Sequence, residues 1–255
     1  MDTFILVMVA VFGLIIGSFL NCLIWRLYKS ENMDGRSYCP KCRHQINWYD
    51  NVPILSFIIL KGKCRHCRES ISWQYPLVEL STAILFLLIF IIDGASLDFS
   101  WLLARDWLLI SALTIIFVYD FRWQVIPMNI VWPFTAIMFI FNLFLGIPWW
   151  QLLIFGAAAA GFFLIQYLAT KKKGVGEGDI WLGGLLGLAF PAVSQLMLIL
   201  VVSYGLGSIV GLSLMAGKKK GWKSHIALGP FLAIGAIITL IWGSNIISWY
   251  LGLFY

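Results

Sequence analysis

The sequence predicts an all-α polytopic membrane protein, and three observations carry that prediction. Of 255 residues, 61% are hydrophobic and 12% charged, with a mean hydropathy of +0.89, which is far from the composition of an ordinary soluble domain. Apolar stretches long enough to cross a bilayer recur from one end to the other. Between them the basic residues gather in a few short segments, as loops held on the cytoplasmic side do.

The apolar blocks are residues 4–27, 77–119, 125–169, 180–216 and 226–254. Three exceed the roughly 20 residues that one span needs, and each of these carries a turn signal: DGASLD at 93–98, LGIPWW at 145–150 and FPAVS around Pro191. One helix, three helical hairpins and a final helix make eight expected transmembrane helices. The first block reads as a span rather than a cleaved signal peptide, because no A-x-A-like site follows it. Of the 18 Lys and Arg, 17 lie at 26–68, at Arg122, at 171–173 and at 218–223, and only Arg105, beside Asp106, lies towards the other side. The positive-inside rule then makes those four places cytoplasmic and puts both termini outside. Topology accounts for the net charge of +6 without a nucleic-acid partner. The expected division is a first helix at 1–27, a cytoplasmic loop domain at 28–75 and a seven-helix membrane domain at 76–255. Trp101, Trp149, Trp150 and Trp249 are expected as outer interfacial anchors.

The loop domain holds four of the five cysteines, as CPKC (Cys39, Cys42) and CRHC (Cys64, Cys67), with 21 residues between the pairs. That separation is just beyond the usual span of such sites, yet two such knuckles supply four thiolates to one tetrahedral ion and leave no open position, the pattern of structural zinc. Disulfides are disfavoured in a reducing compartment, and no strand and helix pattern of a thioredoxin fold surrounds either pair. Lys41, Lys63, Arg65 and Arg68 are expected to offset the site's negative charge. His44 and His66 are alternative ligands, although four cysteines already fill the site. Cys22, alone in the first helix, is read as a packing residue.

With only twelve acidic residues in the chain, each one near a span is informative. Asp106 has Arg105 beside it. Asp120 ends the third expected span in YDFRWQVIP, and Asp179 opens the sixth in GVGEGDIW, both at the cytoplasmic edge. Two carboxylates at one depth can share a proton across a water, one as base and one as acid. Gly176 and Gly178 remove side chains beside Asp179, so an extended peptide can approach it. The other reading makes Asp179 a helix cap and Asp120 an interfacial partner of Arg122.

Taken together the motifs resemble the type IV prepilin peptidases, the bifunctional leader peptidases and N-methyltransferases of pilus, competence and type II secretion systems. The resemblance is carried by GSFLNCLIWRL at 17–27, the cysteine knuckles with INWYDNVPILSF between them, GKCRHCRESISWQYPLVEL, YDFRWQVIP, the GEGD stretch and LGPFLAIGA at 228–236. It implies an intramembrane aspartyl protease of the bacterial cytoplasmic (inner) membrane, with Asp120 and Asp179 in the two catalytic positions. The implied substrates are prepilins or pseudopilins, whose short basic leader is removed at the cytoplasmic face after Gly and before Phe. It also implies methyl transfer from S-adenosyl-L-methionine to the new N-terminus, since members with the cysteine loop are generally bifunctional.

The methyl-donor residues are not legible: GVGEG has no strand before it, and Glu79, just inside the second span, is a weak candidate against a structural carboxylate. Glu177 either repels Asp179 or points at Lys173, and His225 reads as interfacial. Presenilin-like proteases share the YD and GxGD pair but lack the four-cysteine loop. A proton- or ion-carrying transporter, or a zinc-anchored assembly platform, would show more ionisable groups in mid-span.

Overall fold

In lipid, a chain this apolar can satisfy its backbone only within helices or a closed barrel, and helices are what form. A computed structural model describes residues 3–93, 101–171, 174–216 and 227–253. Among them are nine α-helices: α1 (Thr3–Lys29), α2 (Leu55–Ile59), α3 (Gln74–Ile92), α4 (Trp101–Trp123), α5 (Met128–Phe144), α6 (Trp149–Ala169), α7 (Glu177–Ala189), α8 (Val193–Ala216) and α9 (Gly229–Leu251). The helices divide between two compact units, Met1–Asp98 and Phe99–Tyr255.

Among the described residues, six helices are long and apolar enough to cross a membrane: α1, α3, α4, α6, α8 and α9. The chain is therefore a multi-pass membrane protein. The expected eight spans meet a physical limit in the other two. Helix α5 has 17 residues, and α7 has 13, which at 1.5 Å per residue is about 20 Å against a hydrocarbon core of about 30 Å. The expected turns at 145–150 and around Pro191 do separate α5 from α6 and α7 from α8. Of the first turn, residues 94–98 lie outside the described residues.

In the first unit α1 packs on α3 because glycines let the backbones meet. A Cβ on Gly13 would lie 2.6 Å from Ala83 Cα, and one on Gly17 2.6 Å from Glu79 Cα. Gly13 and Gly17 form a GxxxG pair, the small-residue contact that close helix packing in lipid uses. Near its end, Asn21 donates to the carbonyl of Tyr75 (3.1 Å) and accepts from Gln74 Nε2 (3.1 Å).

In the second unit α4 and α7 are the most enclosed helices. Leu109, Ile110, Ala112, Leu113, Ile115 and Ile116 of α4 are wholly buried, as an all-round apolar helix inside a bundle should be. The packing partners are α6 with α7, α8 with α9, α4 with α9, and α5 with α4 and α7. Within this unit the two expected outer hairpins, α5 with α6 and α7 with α8, are thus not the main packing pairs: α6 meets α7, and α8 meets α9, across the opposite connections. The reason is again small residues. A Cβ on Gly187 of α7 would run into the carbonyl oxygen of Phe155 of α6, and one on Gly235 of α9 would strike Ser203 Oγ of α8.

A polar cluster lies near the end of α7 inside this unit. Arg105 pairs with Asp106 (2.6 Å) as expected and also donates to Asn142 Oδ1 (3.1 Å); Asn142 Nδ2 in turn donates to the carbonyl of Leu188 (2.7 Å), near the end of α7. Gln151 likewise donates to the carbonyl of Pro191 (2.9 Å). The short α7 ends inside the bundle, and these amides satisfy carbonyls that lipid cannot. Trp101, Trp149, Trp150 and Trp249 are all exposed.

Candidate active site and metal centre

The four cysteines come together through a structural repeat that spacing alone does not reveal. Residues 37–46 and 62–71 fold alike at an offset of 25 positions, from Cys39 to Cys64. Cys39 and Cys64 donate their N–H groups to the carbonyls of His44 (2.9 Å) and Glu69 (2.8 Å). Arg43 and Arg68 then turn the chain with φ of 57° and 59°. Isolated antiparallel bridges, Tyr38 with Gln45 and Lys63 with Ser70, close the two loops.

This geometry brings all four Sγ atoms within 4.8 Å of one another, with Cys39 and Cys67 3.8 Å apart. A tetrahedral zinc with bonds of about 2.3 Å requires sulfurs about 3.8 Å apart, so the cluster fits one metal ion. The thiols are already unequal. The Cys64 thiol is lowered to about 7, first by the backbone N–H of Cys67. At Cys67 the backbone N–H of Glu69 acts downward, but burial and the neighbouring thiols push it up to about 12. The His44 and His66 rings lie against one another instead, tilted by 37° with centroids 3.4 Å apart. Two of the expected neutralising cations face carboxylates: Arg65 grips Asp50 through bonds of 2.8 and 2.5 Å, and Lys41 lies 3.9 Å from Glu69.

The loop is fixed to its helices by buried polar groups. Arg26, 5% exposed, donates to the carbonyls of Asn32, Asp34 and Gly35, each at 2.9 Å. Glu79, 6% exposed, accepts from the N–H of Ile54 (2.8 Å) and from Ser18. The sequence offered Glu79 either as a contact for the methyl donor or new amine or, the favoured reading, as a structural carboxylate, and its bond to Ile54 has the geometry of a carboxylate holding a loop. Arg26 and Asn21 were missed, although a charge and an amide inside an apolar helix are a signal for partnered groups.

Asp120 sits in the last turn of α4 and Asp179 in the first turn of α7, and both are buried. They line one cavity of about 780 Å³. Its walls include Gln124 to Ile126 from the α4–α5 connection, Trp132 of α5, Gly174 to Asp179 and Trp181 around α7, and Ala227 and Leu228 before α9. Trp132 and Trp181 meet edge to face at 5.8 Å.

Each aspartate is oriented by a backbone amide at a helix N-terminus, where such groups need acceptors. The Gly176 N–H donates to Asp179 Oδ2 (2.8 Å), so Asp179 does cap its own helix, using one carboxylate oxygen. Asp120 accepts from the N–H of Gly229, the first residue of α9. Gly229 is the site residue that the sequence did not single out; its signal was the LGPF motif at 228–231. Arg122, the alternative partner of Asp120, lies over the Trp123 ring.

Gly176 and Gly178 both line the cavity. Gly176 has an ordinary φ of −77°, so neither backbone strain nor an unusual turn calls for glycine there. The reason at Gly178 is crowding, since a Cβ would lie 2.8 Å from Ile126 Cβ. Glu177 is exposed at the cavity wall. Lys173 and His225 lie outside the described residues.

Comparison with known proteins agrees with this arrangement over nearly the whole chain. Residues 11–92 match the bacterial peptidase A24 N-terminal domain, and residues 107–212 the type IV leader peptidase family. A relative in Aeromonas salmonicida is 34% identical, the alignment covering 96% of this chain and 93% of the relative. One in Bacillus subtilis is 33% identical over 94% and 96%, and one in Neisseria gonorrhoeae 30% identical over 98% and 96%. All three are named prepilin leader peptidase/N-methyltransferase. No solved structure matches. A multi-pass helical chain with a four-cysteine loop, two buried aspartates lining one cavity and such relatives belongs to the type IV leader peptidase family.

Proposed function

We propose that Asp120 and Asp179 are the catalytic pair of this leader peptidase, which removes the leader of prepilin-type proteins and methylates the new N-terminus. The observation that carries this reading is the cavity that both carboxylates line together with glycines and a tryptophan pair. Two carboxylates close together do not both ionise readily. The ionised member takes a proton from water as its oxygen attacks the scissile carbonyl; the protonated member donates to the carbonyl oxygen. The tetrahedral intermediate then collapses, the C–N bond breaks, and the leaving amine takes a proton. Gly176 and Gly178 line the approach by which an extended substrate reaches the pair.

A prepilin or pseudopilin with a basic leader and an apolar stem, cut after Gly and before Phe, suits a site at the cytoplasmic edge of the bacterial inner membrane. In that topology both termini lie outside, and α5 and α7 complete eight membrane helices as shorter crossings supported by their neighbours. Residues 28–75 form the cytoplasmic module and residues 76–255 the catalytic membrane domain. Cys39, Cys42, Cys64 and Cys67 hold zinc in a closed structural site, which supplies folding energy. S-adenosyl-L-methionine supplies the methyl group, and transfer chiefly requires the deprotonated amine to be aligned with it. Glu79, the candidate for contacting donor or amine, is engaged by Ile54, which favours a structural role.

The test is cleavage of a Gly-Phe prepilin by enzyme in lipid vesicles, read by intact mass with and without S-adenosylmethionine. Asp120→Asn and Asp179→Asn should each lower cleavage by at least about 10²–10⁴-fold in folded protein. Wild-type rates in either variant refute the pair.

A further inference from the structure

The loop joining α1 to α3 turns its most apolar stretch outward. In α2, Leu55, Ile58 and Ile59 share one helix face at i, i+3 and i+4, and they are 58%, 63% and 71% exposed. The other face carries Phe57, whose ring meets Trp73 at 5.0 Å. Trp73 precedes α3 and is itself exposed, as is Leu77 one turn further on. Apolar exposure therefore runs from the loop into the start of a membrane helix.

The level of α2 along α3 is set by a bond to a buried carboxylate. Ile54, immediately before α2, donates its N–H to Glu79 at 2.8 Å, and Glu79 lies five residues into α3, about 7.5 Å along the helix axis. The tether is kept although Ile54 takes a φ of 60°, a left-handed value costly for a β-branched residue. A loop segment bonded at this level cannot stand clear of the membrane surface.

We propose that α2 is an interfacial helix. Leu55, Ile58 and Ile59 lie in the boundary between lipid headgroups and acyl chains and seat the four-cysteine module on the bilayer. Trp73 is at the matching level, where indole rings favour the interface. The exposed Lys61 and Lys63 that follow α2 suit phosphate headgroups, their stems lying along the apolar surface. The lipid surface is the one partner that accounts for the depth, the apolar face and the adjoining cations together.

The test uses the full chain in lipid nanodiscs, with a genetically encoded nitroxide residue replacing Leu55, Ile58, Ile59 or, as control, Lys41, whose side chain is 72% exposed. Collision rates with oxygen and with a water-soluble nickel complex report depth. Oxygen should exceed nickel at 55, 58 and 59, with the order reversed at 41. Nickel exceeding oxygen at 58 and 59 overturns the proposal by showing solvent. Loss of both collisions with an immobilised spectrum overturns it by showing a protein cover, whether another part of this chain or a second copy. Metal content checks the fold of each labelled protein, and the three positions are read independently, so one disruptive label does not decide the outcome.

Discussion

Gly229→Ala tests the site through a residue that takes no part in bond making. An added Cβ would lie 2.5 Å from Asp120 Oδ2, 3.2 Å from its Cγ and 3.4 Å from its Cβ. Ordinary contact begins near 3.4 Å, so the carboxylate oxygen must retreat by 3.4 − 2.5, or about 0.9 Å. A misplacement on the order of 1 Å costs about 10²-fold in rate, equivalent to about 2.7 kcal/mol of barrier. Alanine is the better helix former by up to about 1 kcal/mol, so α9 should not be lost through propensity. The assay is single-turnover leader cleavage in lipid vesicles, with thermal unfolding measured on the same preparations. Gly205→Ala is the control, since nothing lies within 4 Å of the added atom, and it should cleave normally. A Gly229→Ala enzyme with wild-type turnover and unchanged stability would refute the coupling between the start of α9 and Asp120.

Three further outcomes are expected. Cys39→Ser should lower zinc affinity roughly 100-fold, taking about 10–16 kcal/mol for a structural site as shared among four ligands; metal retained after dialysis against a mild chelator measures it, and full retention would disprove the four-thiolate site. Gly187→Ala drives a Cβ into the Phe155 backbone, with its carbonyl carbon at 2.7 Å and Gly156 Cα at 2.8 Å; backbone cannot yield as a side chain does, so the loss should exceed the usual overpacking cost of about 1–3 kcal/mol, read as a lowered unfolding temperature. The Arg65 bonds hold the Asp50 carboxyl below its ordinary value of 3.8. The folded value is the depressed one, so the stabilisation is present above that ordinary value and fades as pH falls through the lower folded one. Loop hydrogen exchange in wild type should therefore converge on that of Arg65→Gln in this acid range, and comparing the two cancels the metal loss they share; a constant difference across it would remove Asp50 as the source.

What was legible in the sequence was local or chemically loud. Apolar runs force helices in lipid whatever their neighbours do, so the helical class and the turns near Pro148 and Pro191 could be read directly. The CxxC pairs each fold locally, and only two such pairs exist to share one ion. Asp120 and Asp179 stood out because carboxylates at apolar helix ends are rare.

The remainder depended on contacts between distant positions. That Asp120 is held by Gly229, 109 residues later, follows from α4 packing on α9, which no local pattern encodes. The apolar run at 180–216 did not disclose that α7 stops after 13 residues, since hydropathy measures solubility in lipid and not where a helix ends against its neighbours. Glu79 read as a structural carboxylate more than as a donor contact, but which group it bonds was settled only when Ile54 was brought to it. The sequence by itself determined that helices form, which residues lipid and metal would select, and where charge gathers. Tertiary structure alone decided which amides orient the carboxylates and which glycines admit a neighbouring backbone, because those contacts exist only once separate helices have packed.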